Sequence, residues 1–353
     1  MRPVAAAVLA CVALPAAAAP PRAAVRVDAR VELLSVLFYL AGAREYARAY
    51  DTPYRRAVDA HFGAFKDHAA VAATRELRAR FGISHNAPPQ LAVQLDDRFA
   101  ARLALDPVPA GVDDRWRKVD VPAYLKQVQA FARDTGFAAF FAGEERRLAA
   151  VETRVGAALR AAGVDGWFDA TFGPRPGVSF FVCPGMLVGP WSYSATVELG
   201  RGREEIYQVV ALEALDAQAL PTPTSMTIDL VVHERAHAYV NPVVEAHADL
   251  AAAAAPAFAA ARAAMERQSY PTAKVMVQES IVRALRVLYA RERRGDKEGA
   301  AALRDEEGRG FVWTGALADL LARLRGKGRL DLDSHVPALA EFFQKLAPAG
   351  GRP

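Results

Sequence analysis

The stretch Ile228-Asp229-Leu230-Val231-Val232-His233-Glu234-Arg235-Ala236-His237 decides the reading of this chain. Its apolar lead predicts a helix, and on a helix residues four apart share a face about one turn from each other. His233 and His237 can then reach one metal ion together. Glu234 stands beside the first of them, placed to take a proton from a water on that ion. The His-Glu-x-x-His arrangement of zinc hydrolases divides labour in this way, with two neutral nitrogen ligands and one general base. The competing account is an amphipathic helix with ordinary half-buried histidines. The flanks favour a short capped helix: Thr227 reads as its N-cap, Asp229 falls in the first turn, and Pro242 is expected to end it near Asn241. Arg235 is a charge where such helices usually have none, and it is expected to point away from the histidine edge into solvent.

A zinc hydrolase needs a third protein ligand and leaves the fourth position to water. Glu245, His247 and Asp249 follow soon after Pro242, at spacings that depend on how the chain bends there. Glu279 lies further on, in a second helical stretch whose first turn Pro271 suits. Its helical neighbours are Val275, Met276, Val282 and Arg283, so it interrupts an apolar stripe. A buried carboxylate is costly unless it is paired or binds a cation. A metal ion would resolve that cost, and so would a salt bridge to Arg283 at i,i+4. Glu279 is the favoured third ligand, with Glu245 next and then His247.

Upstream of the metal helix, Val178-Ser179-Phe180-Phe181-Val182 reads as a buried strand, and 192–199 and 205–212 are strand-like. Ile206-Tyr207-Gln208-Val209-Val210 is the candidate sheet edge for holding an extended peptide, with an internal strand as the alternative. Pro221-Thr222-Pro223-Thr224 is expected to form the loop leading into the helix. The first half is a helical scaffold: a short strand at Val25-Arg26-Val27, a helix from Glu32 that stops near Gly42, and further helices over 53–65, 68–81, 124–133 and 138–162. Pro88-Pro89 and 107–111 read as turns. His61, His68 and His85 are not spaced as a ligand pair and read as capping or surface residues. Past the second helix, 292–307 is charged and expected to be a solvated helix-turn-helix. Phe311-Val312-Trp313 are expected to tuck against the core, and helices over 317–324 and 336–346 finish the chain.

With 353 residues and an apolar fraction of 52%, the chain can bury a large core. The net charge of +4 comes from dispersed arginines, with no basic stripe interleaved with aromatics, which argues against a nucleic-acid partner. Residues 1–24 read as an export signal: Arg2, an apolar stretch from Val4 to Leu14, and small residues from Pro15 to Ala19. Export to a periplasmic or secreted location is therefore expected. Acylation at Cys11 is a weaker alternative, since the apolar stretch continues past it. Cys183 is the only other cysteine, so no internal disulfide survives cleavage. The alanine-rich 251–264 carries Pro256 and Arg262 and reads as a packed helix, not a membrane span.

Leu230-Val231-Val232-His233-Glu234, ending in His237 and followed by Val240-Asn241-Pro242, resembles the active-site helix of a bacterial zincin-like family of unknown function. Val27-Asp28-Ala29-Arg30-Val31-Glu32-Leu33-Leu34-Ser35, Lys66-Asp67-His68 and Glu279-Ser280-Ile281-Val282-Arg283-Ala284 resemble the same family. Zincins whose third ligand is glutamate, the gluzincins, imply His233, His237 and Glu279 as zinc ligands and Glu234 as base. Arg235 and Ala236 depart from the usual residues between the ligands. The resemblance implies an α+β, predominantly helical chain with a small sheet preceding the metal helix. It divides into the signal (1–24), a helical scaffold (25–165), a zincin-like core (166–300) and a C-terminal helical segment packed on it (301–353). The function expected is a zinc metallopeptidase acting on a peptide or protein, with Tyr193, Tyr239 and Tyr270 as candidate oxyanion donors. The rivals are a non-catalytic zinc-binding protein of the envelope, its site closed by a fourth ligand such as His247, and a metal-free scaffold.

Overall fold

The computed structural model describes residues 24–47, 51–109 and 111–346. Residues 1–23 of the expected export signal, with Cys11, and the tail from Pro348 lie outside the described residues; the signal's last residue, Ala24, opens β1. Helices dominate and a small mixed sheet sits among them, an α+β architecture. The order is β1 (Ala24–Val25), α1 (Ala29–Leu40), α2 (Pro53–Phe62), α3 (Ala69–Phe81), α4 (Ala87–Ala92), α5 (Val121–Asp134), α6 (Phe137–Gly143), α7 (Glu145–Ala162) and α8 (Val164–Phe172). The strands β2 (Val178–Gly185), β3 (Tyr193–Gly200) and β4 (Arg203–Ala211) follow, with the short pair β5 (Ala214–Leu215) and β6 (Pro221–Thr222). Then come α9 (Ser225–Ala246), α10 (Ala248–Arg267), α11 (Ala273–Arg294), α12 (Asp296–Gly308), α13 (Thr314–Arg325) and α14 (Val336–Lys345). One cluster of buried apolar side chains runs from Val27 to Phe343. No described helix is long and apolar enough to cross a membrane.

The sheet has the strand order β1-β2-β4-β3, with β1, β2 and β4 parallel and β3 antiparallel at one edge. Gly200, Arg201 and Gly202 all have positive φ in the β3–β4 turn, a conformation glycine adopts without steric cost and a tight hairpin demands. Successive side chains of β4 point to opposite faces. Gln208 faces α9 and donates to Val231 O at 2.8 Å, while Tyr207 faces α1 and lies under the Arg30 guanidinium. The sheet is thus held between α1 and α9. Ile206-Tyr207-Gln208-Val209-Val210, expected as a sheet edge, is internal: β2 and β3 pair with β4 on either side.

Thr224, not Thr227, caps α9. Thr227 is the third helical residue, and its hydroxyl accepts from the Thr224 N–H at 3.0 Å in a reciprocal capping box. Ile228, Val231, Val232, Ala236, Val240 and Val244 bury one side of the helix. Pro242 does not end it. A proline lacks the N–H that the carbonyl four residues back would accept, and here Arg175 donates to that carbonyl, Ala238 O, instead. With the vacated acceptor satisfied from outside, the helix continues to Ala246.

Arg235 also departs from expectation. It is 3% exposed, pairs with Asp165 at the start of α8, and lies against the rings of Phe168 and Phe180 at 5.5 and 4.8 Å. Pointing away from the histidines here means pointing into protein.

α11 is capped by Thr272, whose hydroxyl accepts from Val275 N, so Pro271 precedes the helix. From Met276 to Ala290 every residue is buried, because α9, α10, α12 and α13 surround it. Its charged residues must therefore find partners inside the protein. The helix-turn-helix expected over 292–307 is present as the end of α11, a break at Gly295 and α12, but one carboxylate turns inward: Glu306 is 1% exposed. Other differences are local. Pro88 and Pro89 start α4, where proline fits the first turn. The helix expected over 138–162 is α6 and α7, parted at Glu144, and Val312 is exposed between the buried Phe311 and Trp313.

Candidate metal centre

Two helices bring the centre together. His233 and His237 project from one face of α9, and Glu279 faces them from α11. The Nε2 atoms of the two histidines are 3.2 Å apart. Glu279 Oε2 is 3.6 Å from His233 Nε2, and Oε1 is 3.4 Å from His237 Nε2. Donor atoms about 2.0–2.1 Å from a tetrahedral ion stand about 3.3 Å from each other; the two imidazoles have that spacing, and the carboxylate comes close to it with a different oxygen toward each ring. Two imidazoles and a carboxylate are the nitrogen and oxygen donors that zinc takes, and the buried carboxylate already has one cation, Arg283, 3.1 Å from Oε2. The residues present fit a zinc ion.

Among the described residues no fourth histidine, cysteine, aspartate or glutamate joins this group. Glu245 and Asp249 are exposed, and His247 contacts Asp333 at 2.8 Å beyond the end of α9. The earlier histidines are likewise elsewhere: His68 caps α3, its Nδ1 accepting from Ala70 N, and His61 contacts Thr135 O. The salt bridge weighed as an alternative for Glu279 exists beside the cluster, with Arg283 3.1 Å from Oε2.

Sequence reasoning left one partner unnamed. His237 Nδ1 donates to Asn241 Oδ1 at 3.1 Å, one turn along α9. A proton fixed on Nδ1 leaves the Nε2 lone pair facing the cluster, the tautomer a metal ligand requires. The i,i+4 spacing of His237 and Asn241 was the signal that could have revealed it.

The electrostatics follow from burial and from the two charges nearest. Burial pushes Glu234 up to about 7; the neighbouring His237 pulls it down and the Glu279 charge pushes it up. Burial drives His233 well below the ordinary histidine value. The same burial acts on His237, but the hydrogen bond and charge of Glu279 outweigh it and hold that imidazole at about 9. Burial would raise Glu279, yet the two histidines and Arg283 hold it well below the usual carboxylate range. Without a metal, the glutamate's charge thus favours the cationic form of His237 while burial favours the neutral form of His233.

A family model described as a domain of unknown function, DUF4932, matches residues 23–346. The chain belongs to this family. No curated protein and no solved structure matches it.

The three candidate tyrosines separate. Tyr239 packs in an aromatic stack with Phe168 and Phe172, under Arg175. The Tyr270 hydroxyl accepts from Arg283 at 2.9 Å, and burial followed by the Glu279 charge pushes it up to about 12. The Tyr193 hydroxyl, at the start of β3, is buried without a hydrogen bond, and burial, then the charges of Glu45 and Glu234, raise its pKa. The real edge, β3, is already engaged. Gln90 and Gln94 donate to its outward carbonyls, Ser194 O at 3.3 Å and Thr196 O at 2.8 Å. α4 and the residues after it thus cover the row of groups an added strand would use.

Proposed function

We propose that this DUF4932 chain is an exported zinc-dependent hydrolase, a metallopeptidase in which His233, His237 and Glu279 hold the ion and Glu234 is the base. The observation that carries the reading is the convergence of two imidazoles and one carboxylate from two helices, with 3.2–3.6 Å between the facing atoms and no fourth described donor beside them. Such a set leaves a position for water, whereas a structural zinc site is closed by four protein ligands. His247, the residue that would have closed it, is occupied by Asp333.

Bound zinc would acidify a water and polarise a carbonyl. The chain's own residues do the rest. Asn241 keeps the His237 proton on Nδ1 and so keeps Nε2 free to ligate. Glu234, buried beside His233, takes the proton from the attacking water and hands it to the leaving amine. Because the β3 edge is covered by Gln90 and Gln94, a peptide would be gripped by side chains around the histidines, not by extending the sheet. Zinc analysis of the purified chain together with a peptide-cleavage screen tests the reading. Zinc binding with hydrolysis that Glu234→Gln abolishes supports it, and equal hydrolysis in that variant removes Glu234 as base. Export is supported by residues 1–24, and sequencing the N-terminus of protein recovered outside the cytoplasm tests it.

A further inference from the structure

Arg283 stands one turn beyond Glu279 on the buried face of α11. Its Nη2 lies 3.1 Å from Glu279 Oε2 and donates to the Tyr270 hydroxyl at 2.9 Å. Its Nη1 donates to Glu306 Oε2, and its guanidinium carbon sits 4.5 Å from the centre of the Phe311 ring. Glu306 is itself fixed from its other oxygen by Arg286 Nε at 2.8 Å. Arg283 is therefore held by Tyr270, Phe311 and Glu306 whether or not anything binds at Glu279.

Two consequences bear on a dication. A guanidinium this close to a metal ligand would oppose the ion if its charge were unbalanced. Glu306, buried at 1% exposure, supplies the balancing charge. A guanidinium held 3.1 Å from Oε2 also favours Oε1, the oxygen nearer His237, as the ligating atom. A carboxylate that bound through both oxygens would take up the position a water needs.

We propose that Arg283 and Glu306 form a positioning pair for Glu279: Arg283 restrains its carboxylate to single-oxygen ligation, and Glu306 cancels the Arg283 charge that would weaken cation binding. This inference rests on the metal reading above. Neither residue touches substrate. Outer partners of metal ligands typically change affinity by about 10- to 100-fold.

The test uses the full chain in wild-type, Glu306→Gln and Arg283→Met/Glu306→Gln forms. The double variant removes both members and leaves no lone buried charge of the pair, so it remains informative if the single variant misfolds. Zinc affinity is read by competition with a chromophoric chelator, and coordination by the visible spectrum of the cobalt(II) form, which a merely structural role would not move. Glu306→Gln is expected to weaken zinc about 10- to 100-fold. The double variant is expected to give the weaker cobalt absorption of a higher coordination number. Wild-type affinity and an unaltered cobalt spectrum in folded variants would overturn the proposal. Failure of the wild-type chain to bind either metal would overturn it together with the metal reading, which keeps the two failures apart.

Discussion

His237 and Asn241 face each other across one turn of α9, with 3.1 Å between Nδ1 and Oδ1, and Pro242 follows directly. The asparagine fixes which ring nitrogen carries the proton, so its effect should appear in metal affinity and not in folding. Asn241→Ala is expected to weaken zinc about 10- to 100-fold with little change in melting temperature. Asn241→Asp, which keeps an acceptor there, should restore most of the affinity. Chelator competition on the three proteins checks this.

Glu234 is buried beside His233 but lies outside the donor cluster. Glu234→Gln keeps the shape and loses the ability to accept a proton. It should retain one zinc while hydrolysis falls by about 10²- to 10⁴-fold, the usual contribution of a positioned base. Zinc content and peptide turnover, measured on the same preparation, separate the two roles.

The proline inside α9 makes a stability prediction. Arg175 satisfies Ala238 O, whose helical donor Pro242 cannot supply. Arg175→Ala leaves that carbonyl short of a partner and is expected to cost about 1–2 kcal/mol. In a Pro242→Ala background the helix regains its own N–H, so the same Arg175→Ala change should cost clearly less. A double-mutant cycle in urea gives the coupling. No coupling would mean that the arginine acts only through Glu204, 3.3 Å from its Nη2, and the Tyr239 ring beneath it.

Asp28 caps α1 and is buried against Arg30, with 2.6 Å between Oδ2 and Nη2. Burial alone would raise its pKa, but the hydrogen bond and charge of Arg30 outweigh it and hold the carboxyl below 3.8. A carboxyl with a lowered folded value stabilises the fold above its unfolded value, and that stabilisation is lost as pH falls through the folded value. Asp28 should therefore contribute fully at neutral pH and steepen the loss of stability below about pH 4. Asp28→Asn is expected to cost about 3–5 kcal/mol at pH 7, because it strands a buried arginine. It should also flatten the acid limb of a stability–pH profile from urea unfolding.

The sequence held the parts of the centre that depend on local spacing. Two histidines four apart share a face on any helix, and Glu279 stood out because it broke an apolar stripe. What it did not hold were contacts made by distant residues. Arg235 looked solvent-bound because nothing near it in the chain foretells Asp165, Phe168 and Phe180. Pro242 looked like a terminator because Arg175, which rescues its carbonyl, comes from the loop before β2. Glu306 was one acid among several in a charged helix, and only packing against Arg283 and Arg286 singles it out. The strand expected to hold a peptide was internal for a similar reason. Period-two alternation shows that a segment is a strand but not which neighbours it has.

The most direct measurement is the metal content of the dialysed wild-type chain beside His233→Ala, His237→Ala and Glu279→Ala, taken by elemental mass spectrometry. The account predicts one zinc per wild-type chain and loss of it in each of the three variants. A wild-type chain free of zinc after loading, or a Glu279→Ala chain that keeps its full complement, would contradict it.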